Sequence, residues 1–218
     1  MKSFMRNTAC RVRWPWLSLV VLVSLSACGD GGPAPQPVGI PGHDNQLLAV
    51  WDTEFGVPPF DSIASEDYLP AFREAMELHN ADIEAIVNNP EEPTFENTIV
   101  ALDEAGALYS RVGRVFGAVN GAHTNEVLRE TNDILAPERA AHGDAISLNP
   151  DLWAKIDAVY QMQDELGLNP EQTKLLEETH KRFVRSGAAL DPESKARVSE
   201  INSELASLSI SFGNNVLD

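Results

Sequence analysis

From Ser65 onward, apolar residues recur every three or four positions, in segments that open on Ser, Thr, Asn or Asp and close near glycine or Asn–Pro. That spacing is the period of a helix with one buried stripe. Ser65 opens a segment striped by Leu69, Phe72, Met76, Ile83 and Ile86, which ends before "NNP" at 88–90. Pro70 lies early enough in it to be tolerated. Thr94 opens a second segment along Phe95, Ile99, Leu102, Tyr109 and Phe116. Gly106 and Gly113 fall on that same stripe, and their cost in helix propensity predicts the close approach of a neighbouring helix. Thr124 starts a third segment, interrupted by Pro137 and resumed to Leu148.

Three further starts share one chemistry, "NPD" at 149–151, "NPE" at 169–171 and "DPE" at 191–193. Asn or Asp offers an oxygen to free backbone N–H groups, proline takes the first helical position, and an acid meets the positive end of the dipole. The helices they open carry Leu152–Ile156–Val159–Leu166, then Leu176–Phe183, then Val198, Ile201, Leu205, Leu208, Phe212 and Val216. In the last of these, Ile210 and Leu217 lie opposite the main stripe, so its final turns read as buried on both faces. Alternatively, Gly213 or Asn214 closes the helix as a left-handed cap. No segment alternates apolar and polar residues for long. The pattern predicts an all-α domain of about six helices.

The first 45 residues differ. Residues 1–27 hold Lys2, Arg6, Arg11 and Arg13 with no acid, leaving 12 basic against 33 acidic residues, a net of −21, in the remainder. Such a charge repels phosphate backbones, so nucleic acid is not an expected partner. The uncharged stretch "WPWLSLVVLVSLSA" (14–27) is shorter than the ~20 apolar residues of a spanning helix and has the layout of a secretory signal. "LSAC" at 25–28 resembles a bacterial lipobox, which implies cleavage before Cys28 and its lipidation. Gly29 after Cys28 implies the outer membrane, in the cell envelope of a Gram-negative bacterium, facing the periplasm. With Cys10 in the removed leader and Cys28 acylated, neither a disulfide nor thiol chemistry is expected. "GDGGPAPQPVGIPGHDN" (29–45), with nine Gly or Pro, reads as a tether in which His43 is solvated. The expected organisation is a signal peptide at 1–27, a lipidated cysteine and tether at 28–45, and a helical region at 46–218.

Candidate chemistry is sparse. His43, His79, His123, His142 and His180 stand singly, no pair four apart with a neighbouring Glu, so the H-E-x-x-H zinc arrangement is absent. His79 and His180 fall on or beside apolar stripes and read as core or boundary residues; His123 in "NGAHTN" and His142 in an alanine-rich helix are free to serve a site. No phosphate loop, G-x-S-x-G or Cys/His pairing occurs. No catalytic and no metal-binding residue is assigned from the sequence.

From "PPFDSIASEDYLPAFREAM" (58–76) onward the chain resembles the N-terminal region of the thimet oligopeptidase family of zinc metallopeptidases, most closely its bacterial peptidyl-dipeptidase (dipeptidyl carboxypeptidase) branch. The matching stretches are "PTFENTIVALDEAG" (93–106), "RVFGAVNGAHTN" (114–125), "AISLNPDLWAKIDAVY" (145–160), "LGLNPEQTKLLEETHKRFVRSGAAL" (166–190) and "FGNNVLD" (212–218). The resemblance implies two helical lobes around a channel admitting short peptides, with zinc held by the two His of H-E-x-x-H and a downstream Glu. None of those residues matches a position here, and "FGNNVLD" falls mid-protein in the family, which implies a truncated segment, inactive alone. A non-catalytic helical lipoprotein, binding peptides or another partner through the same helices, is the alternative function.

Overall fold

The computed structural model describes residues 38–217, and among them the regular structure is helical, without strands. The expected signal peptide and Cys28 lie outside the described residues. Seven α-helices follow one another: α1 (Tyr68–Val87), α2 (Ala101–Glu104), α3 (Ala107–Ala122), α4 (Glu126–Ser147), α5 (Pro150–Gln161), α6 (Pro170–Ser186) and α7 (Pro192–Leu217). A π-helical turn, Phe95–Val100, leads into α2.

The caps form as their chemistry requires. Thr94 Oγ1 accepts from Asn97 N at 3.1 Å, Asn149 Oδ1 from Asp151 N and Leu152 N at 2.9 and 3.0 Å, and Asn169 Oδ1 from Gln172 N at 2.9 Å. Asp191 Oδ1 accepts from Ser194 N at 3.0 Å. Each bond satisfies a backbone donor that the first helical turn leaves free. Two caps differ from the pattern reading. Asp67, not Ser65, takes the Ala64 N–H at 2.7 Å, while Ser65 Oγ accepts from Asn125 Nδ2 at 2.9 Å. Asn125, rather than Thr124, caps α4, accepting from Leu128 N at 2.9 Å. Pro137 does not interrupt α4, because Leu128, Thr131, Leu135 and His142 anchor the helix by burial on both sides of it.

The helix expected from Thr94 to Phe116 is two helices. Gly106 stands between them at φ 67, a left-handed conformation open to glycine and costly for other residues. A Cβ there would lie 2.6 Å from the His79 ring, so the close approach expected at Gly106 is real. At Gly113 the nearest atom would be a Phe72 carbon at 3.9 Å, an ordinary contact. The break splits one stripe between two cores. Phe95, Ile99 and Leu102 join Ile83, Ile86, Leu152, Ile156, Val159, Leu176 and Phe183. Val112, Val115 and Phe116 join Leu47, Leu48, Tyr68, Phe72, Met76, Leu128 and Leu135. Helix α1 contributes to both, its first half to one core and its second to the other.

Two expectations are corrected. The tether does not run to Asn45: Ile40 packs against the first core, its N–H bonds Leu48 O at 2.8 Å, and His43 Nε2 lies 3.0 Å from Glu74 Oε1. Ile40 supplies an apolar anchor that a Gly/Pro count overlooks. Helix α7 turns a different face inward from the one its apolar stripe indicated. It lies along α4 through Lys195, whose Nζ donates to Leu148 O at 3.1 Å, and Asn202, whose Nδ2 donates to Asp144 Oδ1 at 2.7 Å. Ala206 and Ile210 are half-buried with them, whereas Leu205, Leu208 and Phe212 are 54%, 57% and 72% exposed. The helix continues through Gly213 to Leu217, so the left-handed stop is not formed.

Candidate functional site

The histidines are each absorbed by packing, apart from His123, which is exposed at the end of α3. His180 stacks on Tyr160 with ring centres 3.8 Å apart and an 11° tilt, and its Nε2 lies 3.1 Å from Asp157 Oδ1. His142, free to serve a site on the sequence pattern, is instead 8% exposed in α4, with Nε2 3.0 Å from His79 Nδ1 of α1. Tyr109 of α3 covers both rings, at 5.7 and 4.9 Å. Burial pushes both imidazoles below their ordinary value; for His142 the neighbouring His79 adds to burial and brings it to about 4, while Asp82 opposes the shift at His79. Asp82 also accepts the Gly106 N–H at 3.1 Å. Two imidazoles exchanging a hydrogen bond leave no pair of lone pairs converging on one point, and a catalytic zinc needs three protein ligands. Among the described residues no three His, Cys, Asp or Glu side chains are grouped to hold a metal ion. The described residues therefore do not fit a zinc centre.

The most unusual side chain is one that no sequence motif marked. Arg111 lies in α3 on the buried side, four residues before Val115, and is 8% exposed. Its Nη1 donates to Val38 O, and its Nη2 to Leu47 O at 2.6 Å and Ala49 O at 2.8 Å. The guanidinium also stacks on Trp51, 4.2 Å from the ring centre, and Trp51 Nε1 donates to Gln46 O at 2.6 Å. This is a cation using carbonyl dipoles and a π-face in place of a carboxylate. It ties the 38–51 segment to α3. The available signal was a lone arginine among Leu108, Val112 and Val115 on an otherwise apolar stripe.

The other surface feature is the apolar row on α7, where Ile201, Leu205, Leu208 and Phe212 form one exposed stripe. Opposite it, a polar trough of ≈ 830 Å³ between α4 and α7 is lined by Ala141, Asp144, Ser199, Ser203 and Ser207, among others. No helix among the described residues is long and apolar enough to cross a membrane.

No family model matches the chain. Individual proteins do. It is 42% identical over 173 residues to the dipeptidyl carboxypeptidases of Salmonella typhimurium and Escherichia coli, an alignment covering 79% of this chain and 25% of each relative. Oligopeptidase A of Salmonella typhimurium is 26% identical over 166 residues, 76% of this chain and 24% of that protein. The chain thus spans about a quarter of the length of the curated relatives it matches.

Proposed function

Because this chain belongs to the thimet oligopeptidase family, we propose that it builds part of the helical body of a zinc-dependent peptidase acting on short peptides. The observation that carries the reading is 42% identity across 173 residues to enzymes named dipeptidyl carboxypeptidase. In such an enzyme a zinc ion would supply Lewis-acid chemistry. Among the described residues no three side chains are grouped to hold it. Their contribution is a rigid scaffold, two cores joined by a shared helix, against which other structure packs. We further propose that the protein is anchored to the envelope through acylated Cys28 and works on the periplasmic side; the support is "LSAC" after an uncharged stretch and a basic start.

The complete gene product, purified with and without a zinc chelator, tests the peptidase reading on an N-blocked tetrapeptide. Zinc-dependent release of a C-terminal dipeptide is the expected result. A product that binds the peptide without cleaving it would replace the reading by the non-catalytic module. For the anchor, Cys28→Ser should move the protein from the membrane to the soluble fraction, and unchanged fractionation with no acyl mass would refute it.

A further inference from the structure

Arg111 and Arg114, one helical turn apart on α3, line a hollow of ≈ 510 Å³ together with Val38, Trp51, Pro58 and Phe60. The volume is within the ordinary range for a small-ligand site, about 300–1,000 Å³. Its charge is unusual for a chain of net −17. Among the described residues Arg111 pairs with no carboxylate, and its Nε, shielded from solvent, has no hydrogen-bond partner. Buried charges are ordinarily paired, because the uncompensated cost of leaving water is large. Arg114 is exposed and makes no hydrogen bond or ion pair among the described residues.

The rim is as unusual as the floor. Val38 and Phe60 of the lining are exposed apolar side chains, as are Phe55 and Val57 on either side of the lining residue Gly56, Phe55 to 93%. Phe55 also holds φ 59, a left-handed conformation that a bulky residue adopts at a cost, immediately before Gly56 of the pocket lining. Packing among the described residues accounts for neither the strain nor the exposure.

We propose that this pocket binds an amphiphilic carboxylate, one negative charge beside an aromatic or branched apolar body. The carboxylate meets the exposed Arg114, with the charge of the buried Arg111 guanidinium beside it, and the body lies against Phe60, Pro58 and Val38. Guanidinium is the side chain best matched to a carboxylate, through two parallel N–H donors. The same chemistry is presented by a free organic acid and by the last residue of a peptide ending in an apolar side chain.

Calorimetric titration of the 218-residue chain with N-acetylphenylalanine, 3-phenylpropionate and N-acetylphenylalaninamide tests the proposal. The acids should bind at least about tenfold more tightly than the amide, the scale of one charge-assisted pair. N-acetylphenylalanine exceeding 3-phenylpropionate would mark a peptide C-terminus as the source, and the reverse order a free acid. Arg114→Gln should weaken acid binding about fivefold or more and leave the amide and the melting temperature unchanged, with Arg114→Lys recovering part of the loss. Equal binding of acids and amide, no saturable binding, or acid affinity indifferent to Arg114→Gln would overturn it.

Discussion

His142 and His79 meet through facing ring nitrogens 3.0 Å apart, so one must donate and the other accept. A second proton turns both into donors and sets two cations face to face. Burial first, and the neighbouring His79 second, make the folded state resist protonation of His142, down to about 4, whereas an unfolded histidine titrates near 6.5. The unfolded chain binds more protons across that window, so stability is fully present above about 6.5 and falls as pH drops toward 4. The loss should be on the order of 2 kcal/mol, read as a falling urea midpoint between pH 7.5 and 4.5. His142→Phe should flatten that slope, and an unchanged slope would place the titrating group elsewhere. Gly106 is the second sensitive position, since Gly106→Ala faces both a left-handed φ of 67 and a Cβ 2.6 Å from the His79 ring. A cost of about 2–3 kcal/mol by thermal melting is expected. The sequence marked Gly106 as a close approach but not as a break, because a stripe shows which face is buried and says nothing about φ. It gave no sign that His79 and His142, sixty-three residues apart, would pair.

At the scale of elements, cap chemistry was the most legible feature, because Asn–Pro–acid acts within four residues and needs no partner. The caps at Asn149, Asn169 and Asp191 bond their own first turns. Helix α7 shows where local reading stops. Its apolar stripe reads as interior, yet α4 meets the side bearing Lys195 and Asn202, and Ile201, Leu205, Leu208 and Phe212 are exposed. Periodicity ranks the faces of a helix by hydrophobicity, while the neighbour that is present decides which one is covered. The row should make the 218-residue chain self-associate with rising concentration, since burying each large side chain yields about 1.5–3 kcal/mol. Leu208→Ser with Phe212→Ser should abolish that association in sedimentation velocity while changing monomer stability by less than about 1 kcal/mol. A larger loss in the monomer would mean that the stripe is packed within the chain.

The two cores of the described residues are joined by α1, which places Phe72 and Met76 in one and Ile83 and Ile86 in the other. Two cores were not readable from the stripes, because nothing in a 3.6-residue period says that Gly106 will send Phe95 and Phe116 to different ones. Nor did the Gly/Pro-rich composition of 38–45 indicate that Arg111 of α3 takes the carbonyl of Val38 together with those of Leu47 and Ala49 just beyond it. These non-local contacts decide whether the domain unfolds in one step. Melting half of α1 would give up its intrahelical bonds and create a new end with free backbone groups, so loss of either core should carry the other with it. Trp51 packs beside the first core and Trp153 beside the second, which gives each its own reporter. In variants retaining one of these tryptophans, with Trp14 and Trp16 also replaced, urea transitions followed by fluorescence should coincide. Ile156→Ala removes fully buried atoms from the second core only and should cost about 2–5 kcal/mol. If α1 couples the cores, that change moves the Trp51 transition as far as the Trp153 transition. A shift confined to Trp153 would show that the cores are independent and that α1 yields at its middle.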